Sequence, residues 1–347
     1  MRTIDWVDGR IHIIDQTLLP GEEVSLSLET VEEVAEAISS LRVRGAPALG
    51  VAGGLGVALA ARRAREDGED VGEAISRAAS LLASTRPTAV NLRWGIERVE
   101  GVYDPSRPES VEDLIREARA MVEEDEKINR LIGEVGAGLI EGGSRVLTHC
   151  NAGALACVAH GTALSIVKVA HERGLVAGVT ATETRPLLQG SRLTAWELKR
   201  MGVPHRVTID SGAAGLIASG SIDVVVTGAD RIAANGDVAN KVGTYPLALA
   251  ANASGVPFVV AAPLSTIDLA TPDGGAIPIE ERSASEVLEV NGLQIAPEGT
   301  EAYNPAFDVT PASLVSAIVT EAGIVRPGVD DLRTLFEEAP WVGETTG

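Results

Sequence analysis

Apolar and polar positions change rhythm twice along the chain, and each rhythm predicts a different kind of element. Over the first 28 residues they alternate around Gly9 and Gly21, which reads as two or three short antiparallel strands. Beyond Thr30 the apolar residues recur at helical spacing. Val31 to Leu41 is predicted as a helix capped by Thr30, with Glu33 three residues on completing a capping box. The Ala/Gly/Leu-rich run from Pro47 to about Glu66 reads as a closely packed helix, and two more follow at about Val71 to Ser84 and Thr88 to Val102. Asp104-Pro-Ser-Arg-Pro108 makes a loop, and a long amphipathic helix from Val111 to about Gly136 then connects to the next strand.

After that helix, strand and helix alternate. Strands are predicted near Arg145 to Thr148, Val176 to Thr180, His205 to Ile209, Asp223 to Thr227 and Pro257 to Ala261, separated by helical segments. Such alternation predicts a parallel sheet with helices on both faces. The segment from Leu264 to Ala306 carries turn signals and little periodicity, so it reads as an excursion. A helix from Pro311 to Ala322, capped by Thr310, is expected to close the fold.

Composition narrows the class. A chain of 347 residues with 45% hydrophobic content can bury a sizeable core. No apolar stretch approaches the length of a membrane span, and Met1-Arg-Thr-Ile-Asp lacks the apolar core of a signal peptide, so the expectation is a soluble cytoplasmic protein. Two cysteines do not make a disulfide framework, which leaves thiols free to react. The formal net charge of -20 argues against nucleic acid and anionic membranes as partners. Only four lysines occur, Lys127, Lys168, Lys199 and Lys241, so a lysine inside a motif carries weight.

The candidate chemistry sits where strands end. Cys150 ends the run Arg145-Val-Leu-Thr-His-Cys, and Asp230 ends Ile222-Asp-Val-Val-Val-Thr-Gly-Ala-Asp. Reactive side chains at the carboxyl ends of β-branched runs are where an open α/β sheet builds a site. Gly153 and a following helix would place the Cys150 thiol near a helix N-terminus that lowers its pKa; the bland alternative is an inert buried cysteine. Asp230, beyond four apolar residues, would be partly desolvated and raised toward the range of a general acid, unless it caps a helix or pairs with Arg231. Asn240-Lys241 reads as a phosphate or hydroxyl clamp, and Gln189, in the polar block Thr182-Glu-Thr-Arg-Pro-Leu-Leu-Gln-Gly190, as a substrate contact. Arg44-Gly45-Ala46-Pro47 opens the small-residue helix, where free backbone N–H groups and a guanidinium suit a phosphate; close helix packing is the other reading. Arg86, in Arg86-Pro-Thr-Ala-Val-Asn91, is a second such arginine or a surface cap. His149, Cys150, Cys157 and His160 lack the paired spacing of a zinc site, and Gly54-Leu-Gly56-Val-Ala-Leu59 follows no strand and lacks a third glycine, so neither metal nor dinucleotide is expected.

Taken together and in order, Arg44-Gly-Ala-Pro, Arg86-Pro-Thr-Ala-Val-Asn-Leu, Thr148-His-Cys-Asn-Ala-Gly-Ala-Leu-Ala156, the Thr182 block, Leu193-Thr-Ala-Trp-Glu-Leu198, Gly228-Ala-Asp-Arg-Ile and Asn304-Pro-Ala-Phe-Asp-Val-Thr-Pro311 resemble the methylthioribose-1-phosphate isomerases of methionine salvage. The resemblance spans nearly the whole chain. It implies an α/β protein with a mainly helical N-terminal domain over residues 1–125 and a Rossmann-like catalytic domain over residues 126–347, without a nucleotide or other cofactor and in a homodimer. It also implies Cys150 and Asp230 as the catalytic pair, and Arg44, Gly45, Ala46, Arg86, Gln189, Asn240 and Lys241 as substrate-binding positions.

That chemistry is demanding, because the anomeric oxygen of the sugar is locked as a phosphate ester and the ring cannot open to a free aldehyde. A protonated Asp230 would donate to the ring oxygen. The cation at C1 is then relieved by loss of the C2 proton to a Cys150 thiolate or by migration of the C2 hydride. Two enzyme alternatives keep this chemistry and change the sugar, to 5-deoxyribose 1-phosphate or ribose 1,5-bisphosphate. A third, of another class, is a non-catalytic regulatory subunit, since the same fold occurs in exchange factors of translation initiation.

Overall fold

The computed structural model describes residues 2–290 and 292–338. Three strands open the chain, β1 (Ile4–Val7), β2 (Arg10–Ile14) and β3 (Ser25–Leu28), paired antiparallel in that order. The period of two along β2 turns Ile11 and Ile13 into the core. Helix α1 (Val31–Ser39) starts at the expected capping box: the Thr30 hydroxyl accepts from the Glu33 N–H at 3.2 Å, and the Glu33 carboxylate accepts from the Thr30 N–H at 3.2 Å. Helices α2 (Ala46–Asp67), α3 (Val71–Thr85), α4 (Val90–Glu100) and α5 (Ser110–Gly136) follow.

The glycines of α2 serve close packing. A Cβ on Gly95 of α4 would meet the Gly50 carbonyl oxygen of α2 at 2.0 Å, so these two backbones touch directly. Leu55, Val57, Leu59, Leu82, Leu92 and Leu114 fill the core these helices share. That core is why α2 is apolar around most of its circumference.

The second half contains β4 (Ser144–Thr148), α6 (Ala163–Glu172), β5 (Val176–Thr182), α7 (Ala195–Arg200), β6 (His205–Thr208), α8 (Asp210–Ala218), β7 (Val224–Thr227), β8 (Arg231–Ala233), β9 (Val238–Lys241), α9 (Thr244–Ala253) and β10 (Phe258–Ala261). After these come β11 (Ile267–Asp268), α10 (Ser285–Leu288), β12 (Glu289–Val290), β13 (Leu293–Gln294), β14 (Phe307–Thr310), β15 (Ala317–Thr320), β16 (Gly323–Val325) and α11 (Thr334–Glu338). Seven strands form one sheet in the order β16-β15-β10-β7-β4-β5-β6, parallel throughout except for the β15–β16 pair. Chain order runs outward from β4 in one direction through β5 and β6, then resumes on its other side with β7, β10 and β15. This is the doubly wound Rossmann order, with its reversal between β4 and β7. Strands β7 and β10 are buried at every residue, as strands covered on both faces must be. A smaller sheet, β11-β8-β9-β14, is built around the β8–β9 hairpin.

By contacts the chain divides into two compact units, Met1–Leu131 with Ala152–Ser165, and Ile132–Asn151 with Ile166–Gly347. This partition differs from a single cut at 125/126. The segment Ala152–Ser165 returns to the first unit because buried groups hold it there: Gln16 Nε2 donates to the Leu155 carbonyl at 2.7 Å, the Thr3 hydroxyl to that of Cys157 at 2.7 Å, and the Val158 N–H to the Asp125 carboxylate at 2.7 Å.

Two expectations are corrected. Residues Pro311 to Ala322 are not a helix: after β14 the chain makes one 3-10 turn at Ala312–Leu314 and then enters β15, buried at all four positions between β10 and β16. Thr310-Pro311 imitates a helix start, but the β-branched run Ile318-Val-Thr320 gains more from the parallel sheet. Nor does a helix start beside Cys150. The chain after it forms a 3-10 turn at Ala154–Ala156, and α6 begins only at Ala163.

Candidate active site

Cys150 lies two residues beyond β4, and Asp230 three residues beyond β7. These strands are neighbours, Val146 and Leu147 pairing with Val224 and Val225, so both side chains stand at the carboxyl ends of the two strands that flank the reversal in strand order. Cys150 is a half-buried thiol in left-handed backbone, φ 60°. Both its backbone polar groups are held by threonine hydroxyls: its N–H donates to Thr184 Oγ1 at 2.8 Å, and its carbonyl accepts from Thr194 Oγ1 at 2.6 Å. Asn151, buried next to it, donates to Glu197 at 2.8 Å and Thr194 at 3.1 Å.

Asp230 is half-buried, and its N–H donates to the Ala239 carbonyl at 2.9 Å. Arg231 faces the same Ala239 in the β8–β9 register, so Asp230 and Arg231 both stand opposite the residue that precedes Asn240-Lys241. Asn240 and Lys241 are both buried; Asn240 Nδ2 donates to Thr244 Oγ1 at 2.9 Å. Lys241 Nζ lies 5.2 Å from the Phe307 ring centroid and makes no ion pair with a described residue. Lys241 is 9% exposed. Arg231 has its guanidinium 3.9 Å from Asp268 and is held below the usual arginine range by burial.

The backbone on either side of this clamp is fixed. Asp308 accepts from the Gly243 N–H at 2.7 Å and the Tyr245 N–H at 3.1 Å, and burial pushes its carboxyl up to about 6. Gly243 has φ 105° and packs on the His149 ring, which a Cβ would meet at 2.9 Å. His149 is buried and held below the usual histidine range by desolvation, so it is neutral.

Gln189 starts a π-helical turn, Gly190–Thr194, that leads into α7. Its side chain is buried, and Oε1 has no hydrogen-bond partner among the described residues. In the first unit, Gly45 is the left-handed N-cap of α2 at φ 102°, and Ala46 is its first residue. A Cβ at Gly45 would meet the Ala156 carbonyl oxygen at 2.4 Å, which restricts the position to glycine. Arg44 Nε donates to Gln16 Oε1 at 3.1 Å. Arg86 caps the end of α3 and opens the turn that leads into α4, its carbonyl accepting from the Ala89 N–H at 3.0 Å. Among the described residues no group of three or more His, Cys, Asp or Glu side chains is placed to hold a metal ion.

The geometry has counterparts in known proteins. Residues 42–327 match the Initiation factor 2 subunit family. A methylthioribose-1-phosphate isomerase of Geotalea daltonii is 51% identical over 330 residues, 94% of this chain and 95% of that protein. The chain belongs to the methylthioribose-1-phosphate isomerase family. Among solved structures, 5-methylthioribose 1-phosphate isomerase from Pyrococcus horikoshii OT3 superposes with a TM-score of 0.89 at 43% identity, covering 97% of this chain and 96% of that one. A structure of translation initiation factor eIF-2B, subunit delta, from A. fulgidus gives 0.85 at 44% identity, covering 97% and 99%. The hydrogen bonds that Thr184 and Thr194 make to the Cys150 backbone, and that Asp210 makes to Thr184, are not readable from the sequence motifs. Threonines and an aspartate at strand ends have the composition of ordinary caps, and only tertiary pairing separates them.

Proposed function

We propose that the protein isomerises 5-methylthioribose 1-phosphate to 5-methylthioribulose 1-phosphate in methionine salvage, without a cofactor. The observation that carries this reading is that Cys150 and Asp230 follow the carboxyl ends of two neighbouring strands, β4 and β7, at the strand-order reversal. In the proposed reaction Asp230 donates its proton to the ring oxygen as the C1 bond to that oxygen breaks. On one route the C2 hydrogen leaves as a proton to the Cys150 thiolate, giving an enol phosphate that the thiol reprotonates at C1 as the C2 hydroxyl proton passes to the Asp230 carboxylate; on the other the C2 hydrogen passes to C1 as hydride while that carboxylate takes the C2 hydroxyl proton. Turnover in D2O tests the first route: deuterium at C1 of the product requires it, since hydride transfer brings no solvent hydrogen to C1. Asn240 and Lys241 would hold anionic or hydroxyl groups of the sugar, Gln189 would donate to or accept from a hydroxyl, and Arg44, Gly45, Ala46 and Arg86 would bind phosphate.

The reading extends to a homodimer in the cytoplasm. No helix among the described residues is long and apolar enough to cross a membrane, which is compatible with that location. Sedimentation at micromolar concentration tests the dimer.

A regulatory reading has one observation in its favour, the likeness to the initiation-factor subunit. A side-by-side assay on 5-methylthioribose 1-phosphate, 5-deoxyribose 1-phosphate and ribose 1,5-bisphosphate decides. Preference for the methylthio sugar, abolished in Cys150→Ala and in Asp230→Asn with substrate binding retained, is the expected result. Preference for the bisphosphate moves the protein to another sugar, and silence on all three favours the regulatory reading.

A further inference from the structure

The amide of Cys150 is the first member of a buried hydrogen-bond chain that ends beside Lys241. Cys150 N–H donates to Thr184 Oγ1 at 2.8 Å, Thr184 Oγ1 lies 3.2 Å from Thr182 Oγ1, Thr182 Oγ1 lies 2.6 Å from His149 Nδ1, and His149 Nε2 lies 2.9 Å from the Val242 carbonyl. Thr182, Thr184 and His149 are each at most 2% exposed.

Donor chemistry gives the chain its direction. A carbonyl only accepts, so His149 Nε2 carries the hydrogen and the neutral ring presents a bare Nδ1. That nitrogen takes the Thr182 hydroxyl proton, which leaves Thr182 Oγ1 as an acceptor for Thr184, whose hydroxyl also has the Thr182 carbonyl at 3.3 Å. Thr184 Oγ1 in turn accepts from the Cys150 amide, which can only donate. The chain runs one way, from the Cys150 turn across β5 to the residue after Lys241.

The Cys150 end begins from otherwise unfavourable conformations. Cys150 and Thr184 are both non-glycine residues in left-handed backbone, φ 60° and 66°. Each costs about 1 kcal/mol or more unless its surroundings over-determine it. The Asp210 carboxylate supplies that for Thr184, accepting its N–H at 2.7 Å and the Arg185 N–H at 2.6 Å.

We propose that Thr184, Thr182 and His149 are positioning residues of this site, which through one directional hydrogen-bond chain lock the Cys150 turn and the Lys241-Val242 segment into a single geometry. The inference rests on the reading of Cys150 as catalytic, so its test includes a readout that does not need turnover. Thr184→Val keeps the shape and removes the hydroxyl; Thr184→Ser keeps the hydroxyl. For each, kcat, KM, melting temperature and the rate of Cys150 alkylation by iodoacetamide at fixed pH are measured, with peptide mapping to separate Cys150 from buried Cys157.

Thr184→Val is expected to lower kcat by about tenfold to a hundredfold with KM changed by less than about threefold, and to shift the alkylation rate, as a displaced reacting group does. Thr184→Ser should restore both readouts. Should Thr184→Val fail to fold, Thr182→Val breaks the chain one link farther on, without removing the acceptor of the Cys150 amide, and the same split is expected. Unchanged kcat and alkylation in the folded valine variant overturn the proposal, as does an equal loss in Thr184→Ser, which would mark packing rather than the hydroxyl. An active Cys150→Ala protein would instead overturn the catalytic reading, while the alkylation rates still report on the chain.

Discussion

Gln189 buries an amide oxygen that no described residue satisfies. Exchanging the amide's oxygen and nitrogen does not remove the problem, because one buried polar atom still faces the same unmatched surroundings. Such an atom costs about 1–3 kcal/mol in the free protein, and a ligand hydroxyl that meets it recovers that cost. Gln189→Leu is therefore expected to raise the denaturation midpoint slightly and to weaken substrate binding by about tenfold or more. A Kd by calorimetry and a urea titration on the same variant check both signs, and a variant that loses stability without losing affinity contradicts the substrate role. Gln189, Cys150 and Asp230 were legible as candidates, Cys150 and Asp230 because each ends a strongly apolar run and Gln189 because it lies in a polar block just past a strand. Thr184 and Asp210 were not, since their bonding depends on partners more than 20 residues away.

At the scale of elements, the end of β5 is the most tightly constrained connection around the site. Gly190 begins the π-helical turn after Gln189, and a Cβ there would meet the Thr182 carbonyl oxygen at 1.7 Å and Thr184 Oγ1 at 3.0 Å. The nearer obstruction is backbone, so no rotamer change relieves it. Gly190→Ala is expected to cost about 2 kcal/mol or more in stability and to lower activity further than that loss of folded protein explains, because the turn must lift away from Thr182 and Thr184. Urea unfolding with activity normalised to folded protein checks this, and full specific activity at normal stability would contradict it. The helices and strands that carry a clear period, α1 to α5 and the sheet strands β4, β5, β6, β7 and β10, were legible with ends shifted by a few residues. The region from Pro311 to Ala322 was not, because Thr-Pro followed by mixed small and β-branched residues satisfies a helix-start signal locally while the sheet takes Ala317–Thr320. The chain after Cys150 failed for a related reason: glycine and alanine after a strand suggest a helix, but Gly161 at φ 85° must approach the Gly153 backbone, where a Cβ would come within 2.3 Å, and that holds residues 153–161 as a tight loop.

For the whole molecule, three buried carboxyls among the described residues make stability respond to pH. Burial pushes Asp125 up to about 7, Glu321 to about 7 and Asp308 to about 6, from ordinary values of 3.8, 4.5 and 3.8. Between those limits the folded protein holds protons that the unfolded chain has released, so the native state binds more protons and stability falls as pH rises from about 4 to about 7. Asp15, Asp237 and Asp268 act oppositely: hydrogen bonds, with Arg42 also acting on Asp15 and Arg231 on Asp268, hold them below the ordinary value against the effect of burial. Their contribution is present above about 3.8 and is lost only on further acidification. The formal charge of -20 adds self-repulsion as the remaining carboxylates ionise. The protein should accordingly be more stable near pH 5 than near pH 8. Glu321 offers the cleanest test, because it lies outside the candidate site and its carboxyl accepts the Leu264 N–H, at 3.1 and 3.2 Å, which a glutamine oxygen also accepts. Glu321→Gln should match the parent near pH 5 and exceed it by about 2–3 kcal/mol near pH 8, since each tenfold difference in proton affinity between folded and unfolded chain is worth roughly 1.4 kcal/mol. Urea midpoints at the two pH values measure the difference, and a Glu321→Gln protein whose stability falls with pH as steeply as the parent's would show that this carboxyl is already ionised in the folded state.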